Sequence, residues 1–252
     1  MHKDEASPKE SDAVDQETAG ETEQVDLAPP PARRSRALFI QVLLFFAIIA
    51  FAFLTILVKT IPLFPVDLQI TRAIQSIHSP FFEGLMRLIS WPGFLPQSIL
   101  ITLLIAFTLY VYSLRWESIV SLLAALLSGV TNELVKDFIG RPRPAMDAVN
   151  VFEVLTSYSF PSGHVMLYTI LFGYTWYLVY TLLKRSVLRS LLLGLFGVLI
   201  LSVGASRIYL GQHWASDVLG AYLLGGVILA IVILLYQWGK ERFFVRQPAQ
   251  EG

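Results

Sequence analysis

The sequence contains no cysteine. That excludes disulfides, a thiol nucleophile and zinc–thiolate sites, and it leaves the redox compartment open. Charge is also scarce, at 15% of 252 residues, and it is segregated. Residues 1–26 hold nine acids (Asp4, Glu5, Glu10, Asp12, Asp15, Glu17, Glu21, Glu23 and Asp26) against Lys3 and Lys9. No internal repeat is present, and no Rossmann or Walker-type glycine pattern.

What is present is long apolar sequence. Residues 1–36 read as a disordered tail, because so acidic a segment has too little apolar surface to offset the entropy of ordering it. Pro29, Pro30 and Pro31 make a stiff spacer at its end. A signal peptide is not expected, since the first apolar run starts late and is long. A membrane span needs about 20 mostly apolar residues. Residues 37–58, 94–114, 118–135, 165–183, 190–206 and 218–238 meet that pattern, the third with Glu133 near its end. The expectation is an all-α bundle of six transmembrane helices, with residues 37–246 as the membrane-embedded domain. Between the first two spans, Ser79-Pro80 reads as a helix start and Trp91-Pro92-Gly93 as a stop. Residues 59–93 are either two short amphipathic helices at the interface or a linker with aromatic anchors.

Ionisable residues at span ends mark functional sites. They form three islands: KDFIGRPRP (136–144) after span three, SYSFPSGH (157–164) before span four, and SRIYLGQHWASD (206–217) between spans five and six. Alternating helix direction puts all three on one membrane face. Lys136, Arg143 and Arg207 supply cationic donors, and the planar arginine fork suits two phosphate oxygens. Ser162 can cap a helix starting near Gly163, whose N–H groups and positive dipole attract an anion. His213 and Asp217, four apart, share a helix face if they begin span six. Asp217 then accepts from one ring nitrogen and leaves the other free to attack. His164, from another helix, can give a proton to a leaving oxygen. Each residue alone reads as an interfacial anchor or a cap, and Glu133 reads simply as a partner for Lys136. It is their convergence that suggests phosphoryl transfer through a phosphohistidine.

These residues resemble the three motifs of the phosphatidic acid phosphatase type 2 superfamily. The first is a Lys, six residues, then Arg-Pro, here Lys136 and Arg143-Pro144; the spacing selects Arg143 over Arg141. The second is Pro161-Ser162-Gly163-His164. The third is Ser206-Arg207, five residues, His213, three residues, Asp217. The resemblance covers roughly residues 40–240. It implies His213 as nucleophile, Asp217 as its orienter and His164 as general acid and then base. It assigns phosphate binding to Lys136, Arg143, Arg207, Ser162 and the Gly163 N–H. No metal or other cofactor is expected. The implied activity is hydrolysis of a lipid phosphate monoester or pyrophosphate, of the phosphatidylglycerol phosphate, phosphatidic acid or undecaprenyl pyrophosphate type. The rival readings are a lipid phosphotransferase, a non-enzymatic lipid-phosphate binder and a haloperoxidase. The segment 145–160 either shapes the headgroup pocket or is a passive loop.

The expected partners are the lipid substrate and the bilayer, with no nucleic acid and no oligomeric state assigned. With the tail inside, ten Lys and Arg flank the spans on that side. Seven lie opposite, three of them already assigned to phosphate. Cytoplasmic flanks are Lys/Arg-rich. The expectation is therefore a bacterial inner-membrane protein with both termini cytoplasmic and the site facing the periplasm.

Overall fold

The computed structural model describes residues 31–61 and 63–243, with the backbone alone for 31–37. The acidic segment 1–30 lies outside the described residues, as do 244–252. All regular elements of the described chain are helical, with no strand, and residues 140–162 form a long loop. Helix α1 runs Pro31–Thr60, α2 Pro65–Gln75 and α3 Pro80–Ser90. A 3₁₀ turn at Trp91–Gly93 leads into α4, Leu95–Val111. Then come α5 (Arg115–Ile139), α6 (Gly163–Leu182), α7 (Val187–Tyr209) and α8 (Ala215–Phe243). Helix α1 thus starts at Pro31, within the segment that composition assigns to the tail.

Five of these helices are long and apolar enough to cross a bilayer: Leu38–Thr60 of α1, and α5, α6, α7 and α8. The expected second span is different. Helix α4 has 17 residues, and with Pro80–Gly93 it forms a pair bent by 62°, which makes a sixth span only if taken together. Pro92 and Pro96 lack the N–H groups a continuous helix would use there, so the chain breaks and turns. Large apolar side chains cover the outside, among them Phe53, Leu104, Leu126, Leu201 and Leu234. A surface of that kind needs lipid as its solvent. The protein is an integral membrane protein.

Helix α6 is the central element: Val165, Met166, Tyr168, Ile170, Leu171 and Tyr174 are fully buried. Burial against other helices gains little hydrophobic energy over lipid, so close packing has to hold the bundle. Small residues allow it. Gly220 and Gly225 of α8 lie against Phe160 and Thr169, and Gly173 of α6 lies against Leu229. A second cluster joins Val58 of α1, Ile139 of α5 and Phe160, where Phe51 stacks on Phe160 at 6.0 Å.

Residues 59–93 do contain two short helices. Ser79 caps α3, accepting from the Phe82 N–H. The amphipathic pattern of α2 is turned inward, however. Its polar residues Asp67, Thr71 and Gln75, spaced four apart, are buried against the protein, while Val66 and Ile70 are exposed. Gln75 Nε2 donates to Asn150 O at 2.7 Å and to Tyr209 O at 2.9 Å, which fastens α2 to the end of α7.

Candidate functional site

The three polar islands meet at one end of the bundle. Lys136 ends α5, Gly163 and His164 start α6, Arg207 ends α7 and His213 precedes α8; with Arg143 they line a single cavity of about 720 Å³. Much of the rest of its wall comes from α4 and α5, where apolar residues alternate with Ser98, Thr102 and Ser128. Leu95, Ile99, Leu103 and Leu126 line it and are also more than half exposed on the outer surface. The cavity therefore has a cationic head and an apolar limb that continues onto the lipid-facing side.

His213 is held from both sides. Its Nδ1 lies 2.8 Å from Ser159 O, an acceptor, so Nδ1 carries the proton. That leaves Nε2 with a lone pair, 3.3 Å from Arg143 Nη1. Burial first, then the charges of Arg143, Arg207 and Lys136, hold the imidazole well below its ordinary pKa of 6.5. These surroundings favour the uncharged ring. Asp217 Oδ2 is 3.6 Å from Nδ1, too far for a hydrogen bond. The acceptor that the spacing assigned to Asp217 is the Ser159 carbonyl instead. The carboxylate is otherwise engaged: Oδ2 accepts the Trp214 N–H at 2.8 Å, and Oδ1 accepts from Arg141 Nη1.

Arg143 is half-buried. It donates to Ser157 O and Gln212 O, both at 2.6 Å, and to Ser157 Oγ at 2.9 Å. Burial lowers its pKa, with Asp217 and Glu133 opposing. Lys136 is nearly buried and pairs with Glu133 at 2.9 Å. Arg207 is fully buried under the Phe94 ring, 5.5 Å away. Its Nη1 donates to Ser90 Oγ at 3.1 Å. Ser206 Oγ donates to Met86 O, so Ser90 Oγ donates in turn to Ser206 Oγ. That chain fixes one arm of the guanidinium and leaves its Nε and Nη2 buried without a partner.

Ser162 is the N-cap residue of α6, but its hydroxyl makes no capping bond. Ser162 Oγ is buried and unpartnered, as is His164 Nε2. Asn132 of α5 secures this entry by donating to Pro161 O at 2.9 Å. His164 is wedged edge-on against Phe94 at 4.9 Å, with Gly93 directly beneath. A Cβ on Gly93 would run into the imidazole ring. Buried polar atoms without partners are rare in native proteins. Here three of them, His164 Nε2 and Arg207 Nε and Nη2, belong to residues that line the cationic head, and Ser162 Oγ is on the residue before Gly163 of that lining; the arrangement suits a tetrahedral oxyanion.

Two residues lie outside the sequence reading. Asp67 of α2 accepts from Arg141 Nη2 at 2.8 Å, from the Ser216 N–H at 2.8 Å and from Ser216 Oγ at 2.5 Å. Arg141, set aside by the motif spacing, bridges Asp67 and Asp217 with its side chain fully buried. The inward spacing of Asp67, Thr71 and Gln75 is the one sequence signal for this arrangement.

Comparison with known proteins bears on this geometry. The family model described as the PAP2 superfamily matches residues 117–241. Phosphatidylglycerophosphatase B of Bacillus subtilis (strain 168) is 30% identical over 197 residues, covering 77% of this chain and 92% of the relative. The crystal structure of a transmembrane PAP2-type phosphatidylglycerolphosphate phosphatase from Bacillus subtilis superposes with a TM-score of 0.68 at 26% identity, covering 81% of this chain and 98% of that one. Aquifex aeolicus LpxE shares the fold, with a TM-score of 0.56 at 23% identity over 69% of this chain and 98% of its own.

Proposed function

The chain belongs to the PAP2 superfamily, and from that premise we propose that it is a membrane lipid phosphatase working through a phosphohistidine on His213. The observation that carries this is the set of unpartnered buried atoms, Ser162 Oγ, His164 Nε2, Arg207 Nε and Arg207 Nη2, beside a neutral His213.

In the first step the Nε2 lone pair of His213 attacks phosphorus. The bond to the lipid oxygen breaks, and His164 gives that oxygen a proton. In the second step His164 takes a proton from water, the hydroxide attacks phosphorus, the N–P bond breaks and inorganic phosphate leaves. Lys136, Arg143, Arg207, Ser162 Oγ and the Gly163 N–H neutralise the phosphoryl oxygens throughout. Asp217 lies beside the ring, with Oδ2 at 3.6 Å from Nδ1, where positive charge develops. The apolar limb between α4 and α5 takes an acyl or prenyl chain while the phosphate sits at the head.

Phosphatidylglycerol phosphate is the first substrate to test, because the Bacillus relative is named for it. The site is proposed to face the periplasm of a bacterial inner membrane, with both termini cytoplasmic, on the Lys/Arg asymmetry described above. Phosphate release by detergent-purified protein across phosphatidylglycerol phosphate, phosphatidic acid and undecaprenyl pyrophosphate tests the reading. Release from at least one is expected. Release from none, or transfer of the phosphate to an added alcohol instead of water, overturns it. Sidedness is tested with a membrane-impermeant substrate analogue on sealed right-side-out vesicles, where hydrolysis without permeabilisation is expected.

A further inference from the structure

The buried cluster behind His213 contains more acid than a simple orienting carboxylate requires. Arg141 Nη1 donates to Asp217 and Nη2 donates to Asp67, and all three side chains are almost completely withdrawn from solvent. A single guanidinium facing Asp217 alone would neutralise it. With both carboxylates ionised around the shared guanidinium, one negative charge is left over. That charge lies next to the imidazole, with Asp217 Oδ2 at 3.6 Å from His213 Nδ1.

We infer that Asp67 of α2 is a positioning residue for phosphoryl transfer: by sharing Arg141 it keeps Asp217 negative toward His213. The inference rests on the phosphohistidine reading. When Nε2 bonds to phosphorus, Nδ1 keeps its proton to Ser159 O, so the ring becomes an imidazolium carrying one positive charge. The resting ring is neutral. The excess negative charge is therefore felt in the phosphorylated state and its transition state and hardly at all by the bound substrate, which is the condition for raising kcat. Low dielectric around the cluster makes the interaction stronger than it would be in water. Asp67 also fixes the geometry. Its Oδ1 accepts the Ser216 N–H in the first turn of α8 at 2.8 Å, so the helix that bears Asp217 is held by the same carboxylate that sets the charge. This explains why a short helix outside the three motifs turns its polar face inward.

Asp67→Asn removes the excess charge at nearly constant shape. The expected result is a kcat lower by about tenfold to a hundredfold, below the loss of a direct oxyanion donor, with KM little changed. Orthovanadate, which mimics the transition state by bonding to the histidine nitrogen, should lose affinity by a similar factor. Inorganic phosphate, which binds without that bond, should not. Asp67→Asn/Arg141→Gln restores one net negative charge and should recover part of the lost kcat, a non-additivity that independent sites would not show. A wild-type kcat in Asp67→Asn overturns the inference. So does an equal loss of vanadate and phosphate affinity, or a double variant no faster than the single one. If Asp67→Asn does not fold, the double variant is compared with wild type directly, and loss of vanadate inhibition there overturns the inference. Wild-type protein that releases no phosphate from any lipid defeats the phosphatase reading itself, which separates the two failures.

Discussion

Arg141 and Arg143 are two residues apart in one motif and have opposite surroundings. Arg141 is sealed between Asp67 and Asp217, with Ser216 Oγ also accepting from it. Arg143 faces the cavity on backbone carbonyls and the lone pair of His213. Arg207, also on the cavity, keeps two nitrogens unpartnered. A buried cation surrounded by carboxylates is part of the scaffold, because its charge is already compensated. A buried cation with spare donors has a cost that only an incoming anion removes. The two regions differ in burial as well: Arg141 is sealed in, whereas Arg143 is only half-buried and faces the cavity.

Removing the proposed nucleophile probes the cavity side most severely. His213→Ala is expected to lower turnover by about 10³-fold or more, as for the loss of a covalent nucleophile. A folded protein should remain, with phosphate binding partly retained. Near-normal hydrolysis by this variant would remove the phosphohistidine from the mechanism.

The scaffold side should respond through stability. Arg141→Ala leaves two carboxylates unpaired and is expected to cost about 3–5 kcal/mol, read as a fall in the detergent unfolding midpoint. Arg207→Ala removes a group with two unmet donors, so it should cost much less stability and affect activity instead. Equal midpoints for the two variants would erase the contrast.

Gly93→Ala sharpens the cavity side. Its Cβ would push the His164 imidazole off line. A displacement near an ångström costs about a hundredfold in rate, so kcat should fall on that scale, with a smaller fall in the unfolding midpoint than Arg141→Ala shows.

A smaller effect concerns pH. In the proposed mechanism the neutral form of His213 attacks, so activity is present above its folded pKa and is lost as pH falls through it. Burial and then Arg143 depress that pKa, placing the acid limb of kcat/KM below pH 6.5. Arg143→Gln should move this limb upward, toward 6.5, in whatever activity remains. A limb that stays in place or moves down would show that Arg143 does not act on the ring.

No change at all is expected from excess chelator. Among the described residues there is no group of three or more His, Asp or Glu that could hold a metal ion. Loss of phosphate release on chelation, restored by Mg²⁺, would replace the cationic cradle with metal chemistry.

Much of the cavity side was legible in the sequence, because each of its residues sits at the end of an apolar run. Counting runs was enough to bring Lys136, His164, Arg207 and His213 to one end of the bundle. The scaffold side was not legible. Asp67 meets Ser216 across a separation of 149 residues, and no local pattern encodes such a pairing. Ser159 was missed as the acceptor for His213 because a backbone carbonyl leaves no trace in residue type. The run 94–114 reads as a full span because its composition is apolar, with Trp91-Pro92-Gly93 as a stop before it; α4 has only 17 residues, and Pro96 lies in its first turn. Composition counts residues and does not register a missing N–H.

The cavity wall formed by Leu95, Ile99, Leu103 and Leu126 sets how concentration is felt at the site. In the proposed function a lipid substrate slides in between α4 and α5 without entering water, so the encounter takes place in two dimensions. The quantity that saturates such an enzyme is the mole fraction of substrate among the surrounding lipids. Diluting mixed micelles with buffer at fixed composition should leave the rate per enzyme unchanged, whereas adding inert detergent should slow it.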